Sequence, residues 1–163
     1  EMNELYNHPK IKAMISLTKG EGFGRPLLEF SLVNKPIITT GWSGHTDFLD
    51  KEFTALLGGK LTPVHDSAIV KDIIIKGSHW FSVDHNYFGN FITDVYENYK
   101  GWKERAKRQG YKSRTNFSFN KMKEQLERHL KENVIALPKK VKLKMPDMKK
   151  IKLPTKPILE ENG

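Results

Sequence analysis

Residues 11–50 read IKAMISLTKGEGFGRPLLEFSLVNKPIITTGWSGHTDFLD, and the order of chemistry in this stretch decides the fold. Residues 11–18 are an apolar run rich in strand formers, bounded by Pro9 before it and Gly20 after it. Gly22-Phe23-Gly24 then makes a tight turn in which the backbone can approach another group closely, because glycine has no Cβ. Pro26 suits the first helical position, where its missing N–H costs nothing. Leu27, Leu28, Ser31 and Leu32 place small and apolar side chains on one helix face, to be covered by a sheet. Pro36 ends the connection, and Ile37-Ile38-Thr39-Thr40 is a short β-branched strand ready for a parallel neighbour. Strand, helix and strand in so few residues form a βαβ unit with a right-handed crossover. The fold class expected is α/β, a parallel sheet with flanking helices. Both glycine loops, 20–24 and 41–44, then lie at the carboxyl ends of parallel strands, the edge where open α/β sheets bind ligands.

The first loop favours an anion. Amide N–H groups at the helix start, roughly residues 24–28, carry the positive end of the helix dipole and suit phosphate. Glu29, one turn in, is placed to reach hydroxyls of whatever the phosphate carries, and Glu21 projects from the loop on the other side. An anion with polyol on both sides describes a nucleotide sugar. The same spacing is also that of a plain glycine turn with two solvated glutamates.

The run Glu21-Gly22-Phe23-Gly24-Arg25-Pro26-Leu27-Leu28-Glu29 resembles the E-x7-E signature of retaining, nucleotide-sugar-dependent glycosyltransferases of the GT-B fold, the group-1 family. The resemblance is clear over residues 3–60 and looser to about 133. It implies a Rossmann-like sheet, the later part of a GT-B C-terminal domain. It further implies that Glu21 faces the transferred sugar and Glu29 the ribose. The backbone of Gly22, Phe23, Gly24, Arg25, Leu27 and Leu28 would hold the diphosphate of a UDP or GDP sugar. Arg25 would add charge near that phosphate. Thr40 to Asp47 resembles the next donor-facing loop, written here Gly41-Trp42-Ser43-Gly44-His45-Thr46-Asp47 instead of the commoner Gly-Gly-x-x-Glu form. The acceptor, a glycan, lipid or protein, is bound in the family by a half that this stretch does not contain. Also missing is the basic Arg/Lys pair that usually holds the donor phosphates and precedes the signature, and a fragment inactive alone is expected. Transfer would proceed by departure of the diphosphate, stabilised by helix-start amides, without the two closely spaced carboxylates of a glycosidase. Neither a metal nor a further cofactor is implied.

Composition sets the outer limits. The chain has 163 residues, 37% hydrophobic, enough for one domain and a tail. It contains no cysteine, so neither a disulfide framework nor a Cys-ligated zinc is available. No apolar run approaches ~18 residues and no signal peptide is visible, so a cytoplasmic protein is expected. The six histidines are scattered, and none pairs with a carboxylate at metal-ligand spacing. His45, in the loop after the second strand, is the one with a functional reading beside that of a surface or helix-start histidine. Trp42 is the tryptophan placed to stack on a base or sugar; Trp80 and Trp102 read as packing. The Gly22-x-Gly24 turn is neither a Walker A loop nor the dinucleotide fingerprint, lacking the Gly-Lys-Ser/Thr of one and the third glycine of the other.

Along the rest of the chain, residues 3–8 read as a helix stub, and residues 47–50 as a short helix. Residues 53–57 read as a strand ending at Gly58-Gly59, and 60–67 as a loop containing Pro63. Residues 68–75 are β-branched enough for a strand. Trp80-Phe81 precedes a helix capped by Ser82 or Asp84, with Phe88, Phe91, Ile92, Val95 and Tyr99 as its stripe. Gly101 is expected to break that helix and Gly110 to end the next turn or two. Ser118 caps a final helix in which Phe119, Met122, Leu126 and Leu130 share a face.

Two segments follow from composition: a domain over 1–133 and a Lys/Pro-rich extended tail over 134–163. The tail carries eight Lys, no Arg and three acids, net +5 of the formal +9. Its two copies of alternating Lys and apolar residues, 139–143 and 149–153, have the period of an extended strand. The tail reads as disordered, as a strand added to a neighbouring domain or second copy, or as an anchor for anionic lipid or nucleic acid. A homodimer through the open sheet edge or the tail is expected. Nucleic-acid binding by the domain is not, since residues 1–133 carry only net +4, 20 basic minus 16 acidic. The contrasting functional reading is a non-catalytic Rossmann-like module that assembles through its basic tail.

Overall fold

A computed structural model describes residues 1–134, so the readings of the alternating Lys segments lie outside the described residues. Strands β1 (Met14–Ser16), β2 (Ile37–Thr40) and β3 (Ala55–Leu57) form a parallel sheet in that order. Met14 lies beside Ile37, and Ile38 beside Ala55. Helix α2 (Arg25–Ser31) joins β1 to β2, as the βαβ pattern requires. Every residue of β2 is buried. Successive strand side chains point to opposite faces, so Ile37 and Ile38 serve different cores. Ile37 packs with Leu27, Phe30, Phe48 and Leu49, from α2 and the turn after β2. Ile38 packs with Ala55, Leu57, Val95 and Trp102, drawing in α3 (His85–Glu97) and α4 (Tyr99–Asn116). The result is an α/β domain with helices flanking a three-stranded parallel sheet. Helix α1 (Met2–Asn7) ends before Pro9 and sets Tyr6 edge-on to Phe30, 5.3 Å between ring centroids.

The second half departs from the sequence reading in several places. Residues 59–63 form strand β4 (Gly59–Pro63), not a loop, paired antiparallel with β5 (His79–Val83). Trp80 and Phe81 therefore sit within a strand. Pro63 is tolerated because it is the last residue of β4, where the ladder ends. Residues 68–75 form no strand: a 3₁₀ turn over Asp66–Ala68 is followed by a tight reversal closed by one bridge between Val70 and Ile74. Asp72 at its tip has φ 63°, a left-handed conformation that Asp tolerates better than most residues. Residues 47–50 are not a helix either; the 3₁₀ turn runs Gly44–Asp47. Strand β1 is shorter than the apolar run 11–18, because pairing with the four-residue β2 limits it. Neither Gly101 nor Gly110 breaks a helix. The break falls at Asn98, and α4 continues to Asn116. A Cβ at Gly110 would lie 2.2 Å from Asn34 Oδ1 and 2.8 Å from Ser31 O, so this glycine lets α4 approach the end of α2. Of the two expected candidates Asp84, not Ser82, caps α3, and Ser118 caps α5 (Phe119–Asn133), as read. The α5 stripe of Phe119, Met122, Leu126 and Leu130 is exposed throughout.

A buried amide holds α4 to the sheet. Gln109, 2% exposed, accepts from the Asp50 amide at 2.8 Å and donates to the Phe48 carbonyl at 2.8 Å and to Ser113 Oγ at 3.1 Å. Ser31 Oγ donates to the Leu28 carbonyl and meets Ser113 Oγ at 2.8 Å, extending the network into α2. Truncation leaves the Asp50 amide and Phe48 carbonyl without partners, so Gln109→Ala is expected to cost about 2–3 kcal/mol in urea denaturation, with the fold retained.

Beside it, Asp50 accepts from the Glu52 amide at 2.9 Å and from Lys112 Nζ at 3.0 Å. The amide bond first, then the Lys112 ammonium, holds the Asp50 carboxyl below its ordinary range. A depressed folded-state value contributes stability above the unfolded pKa of about 3.9, and that contribution disappears as pH falls through the folded value. The stability difference between the wild type and Asp50→Asn is thus expected to be constant at neutral pH and to shrink progressively as pH falls below about 4. Urea midpoints measured across the acid limb check this.

Candidate functional site

The two glycine loops meet at the carboxyl edge of β1 and β2. The Gly44 amide donates to the Glu21 carbonyl at 3.1 Å, and the Glu21 amide donates to Ser43 Oγ at 2.8 Å. A Cβ on Gly44 would lie 2.0 Å from the Gly22 carbonyl oxygen, so only glycine fits there. Gly24 caps α2 with φ 80°, and a Cβ on it would also lie 2.9 Å from His45 Cβ. Phe23 anchors the first loop: its ring lies 5.1 Å from Phe48 and 6.4 Å from Phe117.

The helix start offers fewer amides than the sequence suggests. Leu27 and Leu28 donate to the Gly24 carbonyl, at 2.9 and 3.2 Å, and Pro26 has no N–H. The amides of Phe23, Gly24 and Arg25 have no acceptor among the described residues. Arg25, not Pro26, is the first residue of α2.

The two glutamates occupy different flanks of the loop. Glu21 is half-buried, tied by its backbone to the 43–44 loop, and its carboxylate has no hydrogen-bond partner among the described residues. Glu29 accepts from Arg25 Nε at 2.8 Å, a hydrogen bond that, with the carboxylate's charge, raises the guanidinium further. Arg25 and Glu29 line a cleft of about 500 Å³ against α1, shared with Asn3, Tyr6 and Asn7.

His45 is fully buried, not a surface histidine. Its Nε2 lies 2.5 Å from the Thr40 carbonyl, which can only accept, so Nε2 carries the proton. Its Nδ1 is buried without a partner, as are Thr18 Oγ1 and Thr39 Oγ1. Thr39 is the penultimate residue of β2, Thr18 lies two residues beyond β1, and His45 lies in the loop leaving β2. The three buried unpartnered side-chain polar atoms among the described residues thus gather at one end of two neighbouring strands. Burying a polar atom unpaired costs about 1–3 kcal/mol, so their gathering asks for a reason.

Trp42 is not a free stacking platform. One face lies parallel to Phe81, 5.9 Å away at 2°, and Gly20 packs on its ring. The β4–β5 hairpin is held there by the Phe81 amide donating to the Lys19 carbonyl at 3.0 Å, and by Lys19 Nζ 5.2 Å from the Trp80 ring. Sequence reasoning placed Ser43 in this loop without giving it a role, and it passed over Thr18 and Thr39. The Gly-x-Ser-Gly spelling was the available signal for a tight loop with one polar hook. Among the described residues no cluster of His, Asp and Glu has the arrangement to hold a metal ion. No described helix is long and apolar enough to cross a membrane.

The glycines make a direct test of loop interlock. Gly44→Ala is expected to cost about 1–3 kcal/mol, since the methyl must displace the backbone of residue 22. Gly22→Ala, with nothing within 4 Å of the new Cβ, is expected to stay within about 0.5 kcal/mol of wild type. Thermal unfolding of the two variants measures the contrast. Compared with protein-family models, with curated proteins and with solved structures, the chain matches none.

Proposed function

We propose that this domain is the donor-binding part of a retaining glycosyltransferase of the GT-B type, with a Rossmann-like sheet, and that it takes a nucleoside-diphosphate sugar at the carboxyl edge of β1 and β2. One observation carries the reading: the buried unpartnered atoms of Thr18, Thr39 and His45 gather at that edge, beside the two interlocked glycine loops. A polar ligand seated there gives such atoms partners, which apolar packing does not. The resemblance of residues 21–29 to the E-x7-E signature supplies the ligand class.

On this reading the amides of Phe23, Gly24 and Arg25 hold the diphosphate, aided by the dipole of the short α2. Glu29, already orienting Arg25, binds the ribose hydroxyls from the α1 side. Glu21 binds hydroxyls of the transferred sugar from the other flank of the loop. Leu27 and Leu28 contribute packing instead of phosphate contacts, since their amides are engaged within the helix. The chemistry is departure of the diphosphate from the anomeric carbon, its growing charge met by fixed amides and the Arg25 guanidinium.

Titration of UDP and GDP into the full chain by calorimetry tests the reading. One of the two is expected to bind, and Glu29→Ala, losing a charged acceptor for ribose hydroxyls, to weaken it roughly 10-fold or more. Failure of both nucleotides to bind at millimolar concentration overturns it.

A further inference from the structure

The opposite edge of the sheet carries charge of the other sign. The register that sets Met14 beside Ile37 also sets Lys12 beside Lys35, where the two chains enter the sheet. The Tyr99 hydroxyl donates to the Lys12 carbonyl at 3.1 Å, which brings the start of α4 over this edge. Lys103 follows one helical turn later, on the side of the helix that faces Lys35. At its far end, Arg114 donates to the Leu32 carbonyl at 2.9 Å and to Asn34 Oδ1 at 3.2 Å, so the helix crosses the whole amino-terminal edge. At 100° per residue, Lys100, Lys103, Lys107 and Arg114 fall within one narrow sector beside the buried face of Trp102, Ala106, Gln109 and Ser113. Across α4 there are seven basic residues and one acid, Glu104.

The cations of this row are left almost unopposed. Glu104 accepts from Lys107 at 2.7 Å and lies among Lys100 and Lys103 as well. Lys12, Lys35, Lys100 and Lys103 take part in no ion pair among the described residues. Lys35 instead donates to the carbonyls of Tyr6 and His8, at 2.5 and 2.9 Å. Burial first, then the charges of Lys12 and Lys103, holds the Lys35 ammonium below the ordinary lysine range, as a crowd of like charges requires. A folded chain that gathers several ammonium groups around a single carboxylate has a surface suited to an outside anion.

The geometry points to a nucleic-acid phosphate backbone as the ligand of this row, lying along α4 across the amino edge of the sheet. Residues 100–114 span about 21 Å at 1.5 Å per residue. Over that length one strand of a duplex presents about six phosphates. A single row of cations matches a filament of phosphates better than a lipid plane. Lysine predominates over arginine in the row, which suits backbone contact without base readout. The small net charge of the first 133 residues, +4, concealed this face, because all their acids but Glu104 lie outside α4. The inference does not depend on the glycosyltransferase reading, whose site lies at the other end of the strands.

Fluorescence anisotropy of a labelled duplex of roughly 20 base pairs, titrated with the full chain between about 50 and 300 mM salt, tests it. The unsubstituted chain is expected to bind, with affinity falling steeply as salt rises. Lys100→Ala/Lys103→Ala/Lys107→Ala is expected to lower the slope of log K against log salt by about 2.7, three contacts at 0.9 each. Alanine favours the helix, and circular dichroism checks that α4 persists. The control Lys121→Ala/Lys123→Ala/Lys131→Ala removes the same charge from α5 and is expected to leave the slope nearly unchanged. No binding at about 50 mM salt overturns the inference. So does an unchanged slope in the α4 variant, which assigns binding to the tail, or an equal fall in both variants. Loss of binding to phosphatidylserine vesicles, with duplex binding intact in the α4 variant, overturns it in favour of a membrane surface.

Discussion

Four consecutive buried residues, Ile37–Thr40, form the constraint on which this structure depends. A strand buried on both faces needs a helical layer on each side and a paired neighbour on each edge. Burying Ile37 and Ile38 fully is worth about 1.5–3 kcal/mol for each side chain, and the two point into different cores. Helix α2 covers one, the α3–α4 pair the other, and β1 and β3 take the backbone. The strand's exit is then fixed as well. The Gly41 amide donates to the Leu57 carbonyl at 2.9 Å, so the loop 41–45 begins where β2 must end and falls onto the loop leaving β1. The site is thus positioned by core packing, with loop chemistry added to it.

Parallel strands also separate the two ends of the sheet into surfaces of different character. All the βα loops leave from one edge and all the αβ connections enter at the other. The carboxyl edge receives Glu21, the interlocked glycines and the buried polar atoms. The amino edge receives Lys12 and Lys35 at adjacent strand entrances, with α4 laid across them. Gln109 is what permits that lie: its amide bonds the Phe48 carbonyl and the Asp50 amide, so the helix is seated by hydrogen bonds without a charged partner in the core. Of the lysines on the flank, Lys107 pairs with Glu104, whereas Lys100 and Lys103 take part in no ion pair among the described residues.

The βαβ unit was legible because its signals are local and agree with one another: β-branched residues at 37–40, glycine at 24, proline at 26 and proline at 36. The cap at Ser118 was legible for the same reason, and that of α3 was narrowed to Ser82 or Asp84. What could not be read depends on partners distant in sequence. Strand β4 contains Lys60, Thr62 and Pro63, a polar segment with no strand signature of its own; it becomes a strand because β5 pairs with it. Conversely, residues 68–75 have strand-forming side chains but no neighbouring strand to take their hydrogen bonds. Gly101 and Gly110 look like helix breakers until Asn34 and Ser31 are seen against Gly110. The carboxylates of the candidate site were found by spacing. The buried state of His45 and the orphaned hydroxyls of Thr18 and Thr39 were not, since burial of a polar atom belongs to packing and leaves no trace in its own residue.

His45 shows how closely the loop's parts depend on each other. Its ring is oriented by Nε2–H donating to the Thr40 carbonyl, at the end of the buried strand. In the neutral ring Nδ1 is then an acceptor, and burial denies it water. A donor that reaches it must be an N–H or O–H group, because a cation would carry a desolvation cost with no carboxylate placed to offset it. Gly24, which has no Cβ to meet His45, lets the start of α2 and the ring share this space. The backbone turn with its unpaired amides and the ring with its unpaired nitrogen are therefore set against each other by the same strand.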